Sequence, residues 1–326
     1  MFQIRHYTFL SSALLLALIG TAQAQSDTST QVTQHAETTA DQSRTLRGHT
    51  FLSSSLMPEP FVDTAVVSGT SMGVAEFGLG KMITLLPNQS PFDTLTLGFV
   101  RPSIRAQVGF LDRFALGLEA TGTVLSALDS NAALIMGADV AVTVGGNVLW
   151  NIIQNEWVSL GFGVTGGYQR DVQLSPLTAI NQTLEKQRLD SSNLFVMTDG
   201  YQVTPYLAFD VGFAPAVGIY TSFSYGFSGS DSGTGMNHTQ ELRFGGGLSL
   251  DLQADLHIPI GLSAGYLRTQ PLEDGETASN QIEAGLFYTG KSDIQVGAHM
   301  NVQLQDLGDG ATMTIYAGQF TVSAYF

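Results

Sequence analysis

Apolar and polar residues alternate with a period of two along most of this chain. Within residues 95–110, Ile104 and Ala106 fall on one face, while Ser103 and Gln107 fall on the other. Successive side chains of a β-strand point to opposite faces, so this period predicts strands with one apolar and one polar face. The same alternation predicts further strands near 72–85 and at 114–125, 136–150, 157–170, 201–213, 217–227, 240–252, 257–268, 280–289, 294–305 and 312–326.

The length of these stretches favours a membrane barrel over a soluble sandwich. They run for about 10 to 16 residues, whereas strands of soluble sheets usually have about five or six. The predicted connections also alternate in length. Short ones fall at 111–113, 153–156, 214–215, 253–256 and 290–293, and longer polar ones fall at 126–135, 171–198, 229–238, 269–279 and 306–311. We therefore predict an all-β fold, a transmembrane up-and-down antiparallel β-barrel of about 12 strands.

The last strand supports a barrel whose outer surface faces lipid. Phe320, Val322, Ala324 and Phe326 share one face, and a soluble edge strand this apolar would promote aggregation. The segment resembles the C-terminal targeting strand of Gram-negative outer-membrane proteins, and the hairpin at 108–119 resembles the periplasmic hairpins of bacterial outer-membrane channel proteins. The resemblance implies location in the cell outer membrane, contact with its lipid, and recognition of the strand ending at Phe326 by the barrel-assembly machinery.

The first 70 residues lack the pattern of the barrel. An apolar run at 9–20 follows Arg5 and precedes Ala22-Gln23-Ala24, which predicts a signal peptide at 1–24. This run is too short for a transmembrane helix, which needs about 20 residues. Residues 25–70 are expected to form a polar periplasmic segment, of which 51–70 could be an inserted plug, an extra strand or more linker. The barrel itself is expected at 71–326.

Composition limits the partners and the site chemistry. The chain has 13 Lys and Arg against 28 Asp and Glu, for a net charge of −15, so nucleic acid is not an expected partner. It has no cysteine, which excludes a disulfide framework and a thiolate metal site. The only two tryptophans, Trp150 and Trp157, flank one short predicted turn, as expected of an aromatic belt at a membrane interface.

The polar strand faces bring charged residues into the barrel interior. The pore-lining candidates are Arg101, Arg105, Glu119, Asp139, Asp210, Glu241, Arg243, Asp251, Glu283 and His299, and His257 is also predicted to face inward. The turn at 111–113 sets Arg105 opposite Glu119, and a next hairpin centred near Asp129 would set Asp139 beside Glu119. Such a row would either close the lumen as ion pairs or line a water-filled constriction.

These features predict a passive channel or transporter for small polar solutes or ions, in which lumen width and inward charge provide selectivity. No enzymatic activity, cofactor or metal is expected. The excess of acidic residues favours cations or polar neutral solutes, although Arg101 and Arg105 form a local positive strip. The longest external loop, at 171–194, is the best candidate for a lid.

Other classes stay open. A structural or adhesin-like barrel would bind through acidic external loops such as 273–276 and 306–310, which could also hold calcium weakly. Outer-membrane phospholipases also have twelve strands, but they need Ser, His and Asn together on the lipid face. The G-x-S-x-G match at 261–265 and the G-x-G-x-x-G match at 161–166 lie in predicted strands, without the following helix that each motif requires. An autotransporter-like translocator is disfavoured, since only about 45 residues are available for a passenger.

Overall fold

The computed structural model describes residues 44–78, 94–129, 132–133, 137–174, 195–231, 236–273, 277–308 and 311–326. All of them belong to one compact unit, Asp41–Phe326. A two-stranded hairpin comes first, with β1 (Thr45–Leu46) and β2 (His49–Thr50). The longer strands are β3 (Ala65–Gly78), β4 (Thr94–Phe110), β5 (Phe114–Ala127), β6 (Ala138–Gln154), β7 (Val158–Leu174), β8 (Phe195–Ala214), β9 (Val217–Asp231), β10 (Met236–Asp251), β11 (Ile260–Pro271), β12 (Ser279–Tyr288), β13 (Ile294–Gly308) and β14 (Ala311–Tyr325).

Strands β3 to β14 form a closed antiparallel barrel of twelve strands. Each strand pairs with its neighbours in sequence, and β14 pairs with β3 from Tyr325 opposite Ala65 to Thr312 opposite Gly78. Closure pairs the outermost strands with each other and so removes the exposed edges of the sheet. The prediction of an all-β, up-and-down barrel of about twelve strands is confirmed.

The two ends of the barrel differ. The short-turn end carries the connections 111–113, 155–157, 215–216, 252–259 and 289–293, together with the start of β3 and the end of β14. The opposite, long-loop end carries the connections 79–93, 128–137, 175–194, 232–235, 272–278 and 309–310. One short helix, α1 (Leu252–Leu256), follows β10, and the described residues include no helix long and apolar enough to cross a membrane.

The alternation of apolar and polar residues in the sequence places apolar side chains on the outer face of the barrel and mainly polar ones on the inner face. Outward side chains such as Leu118 and Met300 are 72% and 74% exposed, whereas inward Ser249 and Glu283 are 0% and 1% exposed. Stacked rings of Phe110, Phe114 and Trp150 border the outer surface near the short-turn end. An apolar band flanked by aromatic rings is the outer surface that a bilayer requires.

Several predicted boundaries were wrong. The first barrel strand begins at Ala65 and not near 72, so residues 65–70 belong to a strand; the end of the predicted range 72–85 lies outside the described residues. The predicted loops at 229–238 and 306–311 shorten to 232–235 and 309–310, because the flanking strands continue further.

His257 does not face inward. The Asp251 carboxylate accepts a hydrogen bond from the Gln253 N–H and starts α1, which ends at His257 in the left-handed conformation (φ 58°). The predicted strand at 257–268 therefore begins only at Ile260, and His257 lies exposed in the connection.

The predicted register holds in one hairpin and fails in the next. Arg105 pairs with Glu119 across β4 and β5, as expected. Across β5 and β6, however, Glu119 pairs with Gly145, and Asp139 pairs with Leu125. The cause is Asp129, which begins the turn and does not stand at its centre: its carboxylate accepts from the N–H groups of Thr96 (2.6 Å) and Ala132 (2.7 Å). No row of Arg105, Glu119 and Asp139 forms.

Candidate functional site: the barrel lumen and its plug

Residues Arg44–Thr64, which we call the plug segment, lie inside the barrel at the short-turn end. The segment starts with the β1–β2 hairpin, whose connection at Arg47 (φ 53°) and Gly48 (φ 82°) has the positive φ angles of a type I′ turn. Pro58 and Pro60 follow, and each favours an extended conformation in the residue before it. Six of the segment's apolar side chains are buried, namely those of Leu46, Phe51, Leu52, Met57, Phe61 and Val62.

Hydrogen bonds fix the plug segment to strands around the barrel. The Ser53 Oγ donates to Gln295 Oε1 on β13 (2.8 Å), and the Pro60 carbonyl accepts from Asn151 Nδ2 on β6 (2.9 Å). Gln107 Nε2 on β4 donates to the carbonyls of Phe61 (3.2 Å) and Asp63 (3.0 Å). Partners on opposite sides of the wall mean that the segment crosses the lumen.

His49 is bound through both ring nitrogens. Nδ1 lies 3.1 Å from the Pro215 carbonyl, which can only accept, and Nε2 lies 3.0 Å from the Ser249 hydroxyl. A neutral ring that donates from Nδ1 and accepts at Nε2 satisfies both contacts. Burial lowers the pKa of His49 below its ordinary value, against smaller opposing effects of the Pro215 hydrogen bond and the Asp251 carboxylate.

Inner-wall glycines provide space for the plug segment. A Cβ atom at Gly109 would lie far inside van der Waals contact of the Val62 carbonyl oxygen, and one at Gly212 would meet the Leu46 carbonyl oxygen in the same way. A Cβ atom at Gly161 would lie 2.9 Å from Pro60 Cα. These glycines are near the short-turn end, where the plug segment approaches the wall closely, so they match the wall to the segment.

A charged cluster joins the start of the plug segment to its end. The Arg44 guanidinium lies 2.8 Å from the Glu59 carboxylate and 3.8 Å from that of Asp63, and it stands 4.3 Å from the centre of the Tyr325 ring on β14. Burial by itself would lower the pKa of Arg44, but Glu59, Tyr325 and Asp63 raise it above its ordinary value. Arg44 therefore stays charged in this structure.

The tip of the plug segment reaches a buried carboxylate deeper in the barrel. Glu283 on β12 accepts from the Ser54 Oγ (3.1 Å), the Ser55 N–H (2.9 Å) and the Ser55 Oγ. On its other side, Glu283 lies 3.5 Å from His299 Nδ1 on β13. These bonds connect the plug tip to the wall.

Two water-accessible cavities of the lumen border the tip of the plug segment. The larger of them has a volume of about 680 Å³ and is floored by Ser53, Ser54, Ser55 and Leu56. The second has a volume of about 460 Å³ and shares Ser55, Leu56 and Arg101 with the first. The lumen is therefore filled at the short-turn end and hollow toward the long-loop end.

The predicted pore-lining residues divide between the cavities and the plug. Those at the larger cavity are Arg101, Arg105, Glu119 and His299, those at the second are Arg101, Glu241 and Arg243, and those buried near the plug segment are Asp210, Asp251 and Glu283. Asp139 lies on the inner face higher up, opposite Leu125, and its Oδ1 is buried without a hydrogen-bond partner in the described part of the chain.

Contacts between these charges are sparser than expected. Arg243 pairs with Glu241. Neither Arg101 nor Arg105 takes part in an ion pair within the described ranges, although Arg105 stands opposite Glu119. Both arginines are exposed to the lumen.

Sequence reasoning found one element of the lumen only in part and missed another. An inserted plug was one of three alternatives for residues 51–70, but the plug segment begins at Arg44, within a region expected to be polar linker; the signal was the density of Phe, Leu, Met and Val from residue 46 onward. The second is the connection after β5, where Ala132 is 0% exposed and packs against inward Leu95 and Leu97. The predicted lid at 171–194 lies, beyond Leu174, outside the described residues.

The structure shows where the residues of the enzyme-like sequence matches lie. Ser263 of the G-x-S-x-G match faces inward on β11, and its Oγ is buried without a hydrogen-bond partner among the described residues. On the outer face, His238 contacts the Tyr201 hydroxyl (3.2 Å) and stacks on Phe227. Among the described residues the only Ser–His hydrogen bond joins Ser249 on β10 to His49 of the plug segment, where both residues are 0% exposed.

The acidic loops are only partly described. Glu273 accepts from the Gln240 N–H (2.8 Å), and Asp306 accepts from the Gly308 N–H (2.9 Å); residues 274–276 and 309–310 lie outside the described part. Within that part, no group of three His, Asp or Glu side chains is arranged to hold a metal ion.

Comparisons with known proteins relate the chain to others through its fold. No protein-family model matches it, and no curated protein matches its sequence. Among solved structures, it is similar to the translocator domain of the autotransporter NalP from Neisseria meningitidis, with a TM-score of 0.53, 9% identity, and coverage of 82% of this chain and 90% of that one. It is also similar to the transport unit of the autotransporter AIDA-I from Escherichia coli, with a TM-score of 0.50, 9% identity, and coverage of 86% of this chain and 95% of that one.

A FadL homologue from Pseudomonas aeruginosa is also similar, with a TM-score of 0.46, 12% identity, and coverage of 86% of this chain and 98% of that one. At such low identity these likenesses concern the fold alone. The chain thus has the fold of outer-membrane β-barrels, as the two autotransporter barrels do.

Proposed function

We propose that this protein is an outer-membrane channel for small polar solutes or ions, held closed at its short-turn end by the plug segment. Solutes would enter from the long-loop end and would be selected by the width and charge of the lumen. The observation that carries the proposal is the docking of Arg44–Thr64 across the lumen beneath a cavity of about 680 Å³. No covalent chemistry is assigned to the lumen.

Location in the outer membrane, with the short-turn end in the periplasm, belongs to the same proposal. It is supported by the apolar outer face and by the rings that border it. The signal peptide at 1–24 would direct export, and the strand ending at the 68% exposed Phe326 would be recognised by the assembly machinery.

Planar-bilayer conductance tests the channel and the plug together. The refolded full chain is compared with a truncation that starts at Ala65, because β3 begins there and a longer deletion would remove barrel strand. We expect few or no conductance steps from the full chain and discrete steps from the truncated barrel. A truncated barrel that is folded and inserted but silent would refute the proposed channel.

A point variant loosens the plug segment without deleting it. Gly109→Ala places a methyl group against the Val62 carbonyl, so we expect openings to become more frequent than in the parent chain. Gly167→Ala is the matched control, since an inner-wall Cβ there meets its nearest atom, the Val144 carbonyl oxygen, at an ordinary 3.5 Å. Equal opening frequencies in the two variants would argue against the plug as the gate.

A further inference from the structure

One part of the lumen wall is apolar, against the polar character that a barrel interior usually has. On the inner faces of β3, β4, β5 and β14, near the long-loop end, lies a group that we call the mouth patch. It consists of Ala75, Phe77, Leu97, Phe99, Leu125 and Ile315, all of which line the larger cavity. The wall of a water-filled lumen does not require such a patch, because exposing apolar side chains to water is unfavourable.

The structure holds the mouth patch in place. The Phe99 ring lies over Gly73 on the neighbouring strand, where a Cβ atom would come within 2.8 Å of the ring. Leu97 is 4% exposed and packs with Ala75 and Ala132. The connection after β5 is fixed by the Asp129 carboxylate, which holds Ala132 against the patch. Ala75 and Leu97 are thus buried beneath the patch, and the half-buried side chains of Phe77, Phe99, Leu125 and Ile315 form its surface toward the cavity.

An unpaired cation lies directly below the mouth patch on the same strand. Arg101 follows Phe99 by two residues, so both side chains face inward on β4. Its Nε donates to the Thr123 hydroxyl (3.2 Å), which fixes the guanidinium, while its Nη groups have no acceptor among the described residues. Arg105, the next but one inward residue, is also without an ion pair in the described ranges.

We propose that the larger cavity is a binding site for small organic monocarboxylates with an apolar body. The carboxylate would accept from the free Nη groups of Arg101, for which a planar guanidinium is suited. The apolar body would lie on the mouth patch, and the volume of about 680 Å³ is within the range of about 300 to 1,000 Å³ usual for small-molecule sites. The inference deepens the proposed function and rests on it for the passage of the bound solute.

Isothermal titration of the full chain in a non-ionic detergent tests the site with benzoate as the probe. Acetate lacks the apolar body and benzamide lacks the charge, so both are expected to bind more weakly than benzoate. Arg101→Gln should weaken benzoate binding by about 10- to 100-fold, the range for a hydrogen bond to a charged group. Arg268→Gln, on the outer face of β11, is the matched control and should leave it unchanged.

A second variant addresses the apolar body. Phe99→Ala should weaken benzoate while leaving the weak binding of acetate unchanged. The site is refuted if folded protein does not bind benzoate, if benzamide binds equally well, or if Arg268→Gln loses as much affinity as Arg101→Gln.

Conductance of the truncated barrel, measured in parallel, separates the two proposals. Benzoate binding with the expected dependence on Arg101, in a barrel that conducts nothing, supports the site and refutes the channel. Conduction without benzoate binding refutes the site and leaves the channel standing.

Discussion

Docking of the plug segment disfavours protonation of His49. Its side chain is 0% exposed, and its neutral form satisfies the Pro215 carbonyl and the Ser249 hydroxyl together. Added charge at Nε2 would remove the acceptor for Ser249, although the nearby Asp251 carboxylate would offset part of the cost. The lowered pKa means that the docked plug binds fewer protons than a released plug over the same range of pH.

We therefore expect docking of the plug segment to weaken as pH falls below about 6.5, the ordinary histidine pKa. Above that pH both states are neutral at His49 and the stabilisation is complete; below it the released plug takes up a proton that the docked plug resists. Hydrogen exchange of the amides at 46–53 between pH 8 and pH 5 measures this. His49→Gln should show a flatter profile, and an unchanged profile would assign the effect to another group.

The plug segment as an element depends on a buried charge cluster at its two ends. Arg44 forms ion pairs with Glu59 and Asp63 where all three side chains are less than one-fifth exposed. By contrast, Arg170 pairs with Asp199 on the exposed outer surface, at 2.7 Å but with 58% of the arginine side chain exposed. Burial, and not ion-pair distance, distinguishes the two.

Arg44→Gln should destabilise the docked plug by about 3 kcal/mol, since removing one partner leaves charge in a poorly solvated site. Limited proteolysis of the plug segment reports this as faster cleavage at 44–64. Arg170→Gln should leave cleavage there unchanged, because water and salt screen its exposed pair. Equal rates for both variants would show that Arg44 does not hold the plug.

At the scale of elements, the sequence predicts the features that follow from local periodicity. The strands and the pairing of Arg105 with Glu119 follow from period-two alternation and a three-residue turn. The β5–β6 register depends on where Asp129 hydrogen-bonds, and the start of β11 depends on the helical turn that Asp251 caps. Hydrogen bonds between segments distant in sequence leave no periodic signal.

The sequence offers a plug only as one alternative for residues 51–70, and the start of the plug segment at Arg44 and its docking contacts escape prediction for a related reason. Its conformation is irregular, and its stability comes from partners far along the chain such as Ser249 and Gln295. The inner-wall glycines carry part of the information, yet Gly109 or Gly161 in a strand is equally consistent with a bend. Only the folded barrel shows that their missing side chains make room for the plug.

At the scale of the whole molecule, the sequence alone leaves two roles for Arg105 and Glu119: they could close the lumen as an ion pair, or line it as separate charges. They face each other beside a cavity of about 680 Å³ and make no ion pair within the described residues. An unpaired charge in a water-filled lumen acts on passing ions more than on stability.

Arg105→Ala should accordingly shift the reversal potential of the truncated barrel toward cation selectivity, measured in a salt gradient across a planar bilayer. The thermal unfolding temperature should change little. Glu119→Gln is the charge-opposite comparison and should shift the potential the other way. A loss of thermal stability in Arg105→Ala without a change in selectivity would instead assign the residue to closing the lumen.

The plug segment is joined to the barrel through the peptide bond between Thr64 and Ala65, the first residue of the strand that closes the cylinder. A plug that leaves the lumen therefore stays within reach of its own site, at an effective concentration in the millimolar range for a short flexible tether. Reclosure is then a first-order event whose rate is set by tether length and does not depend on how many copies the membrane holds. Each barrel would open and close as an independent unit.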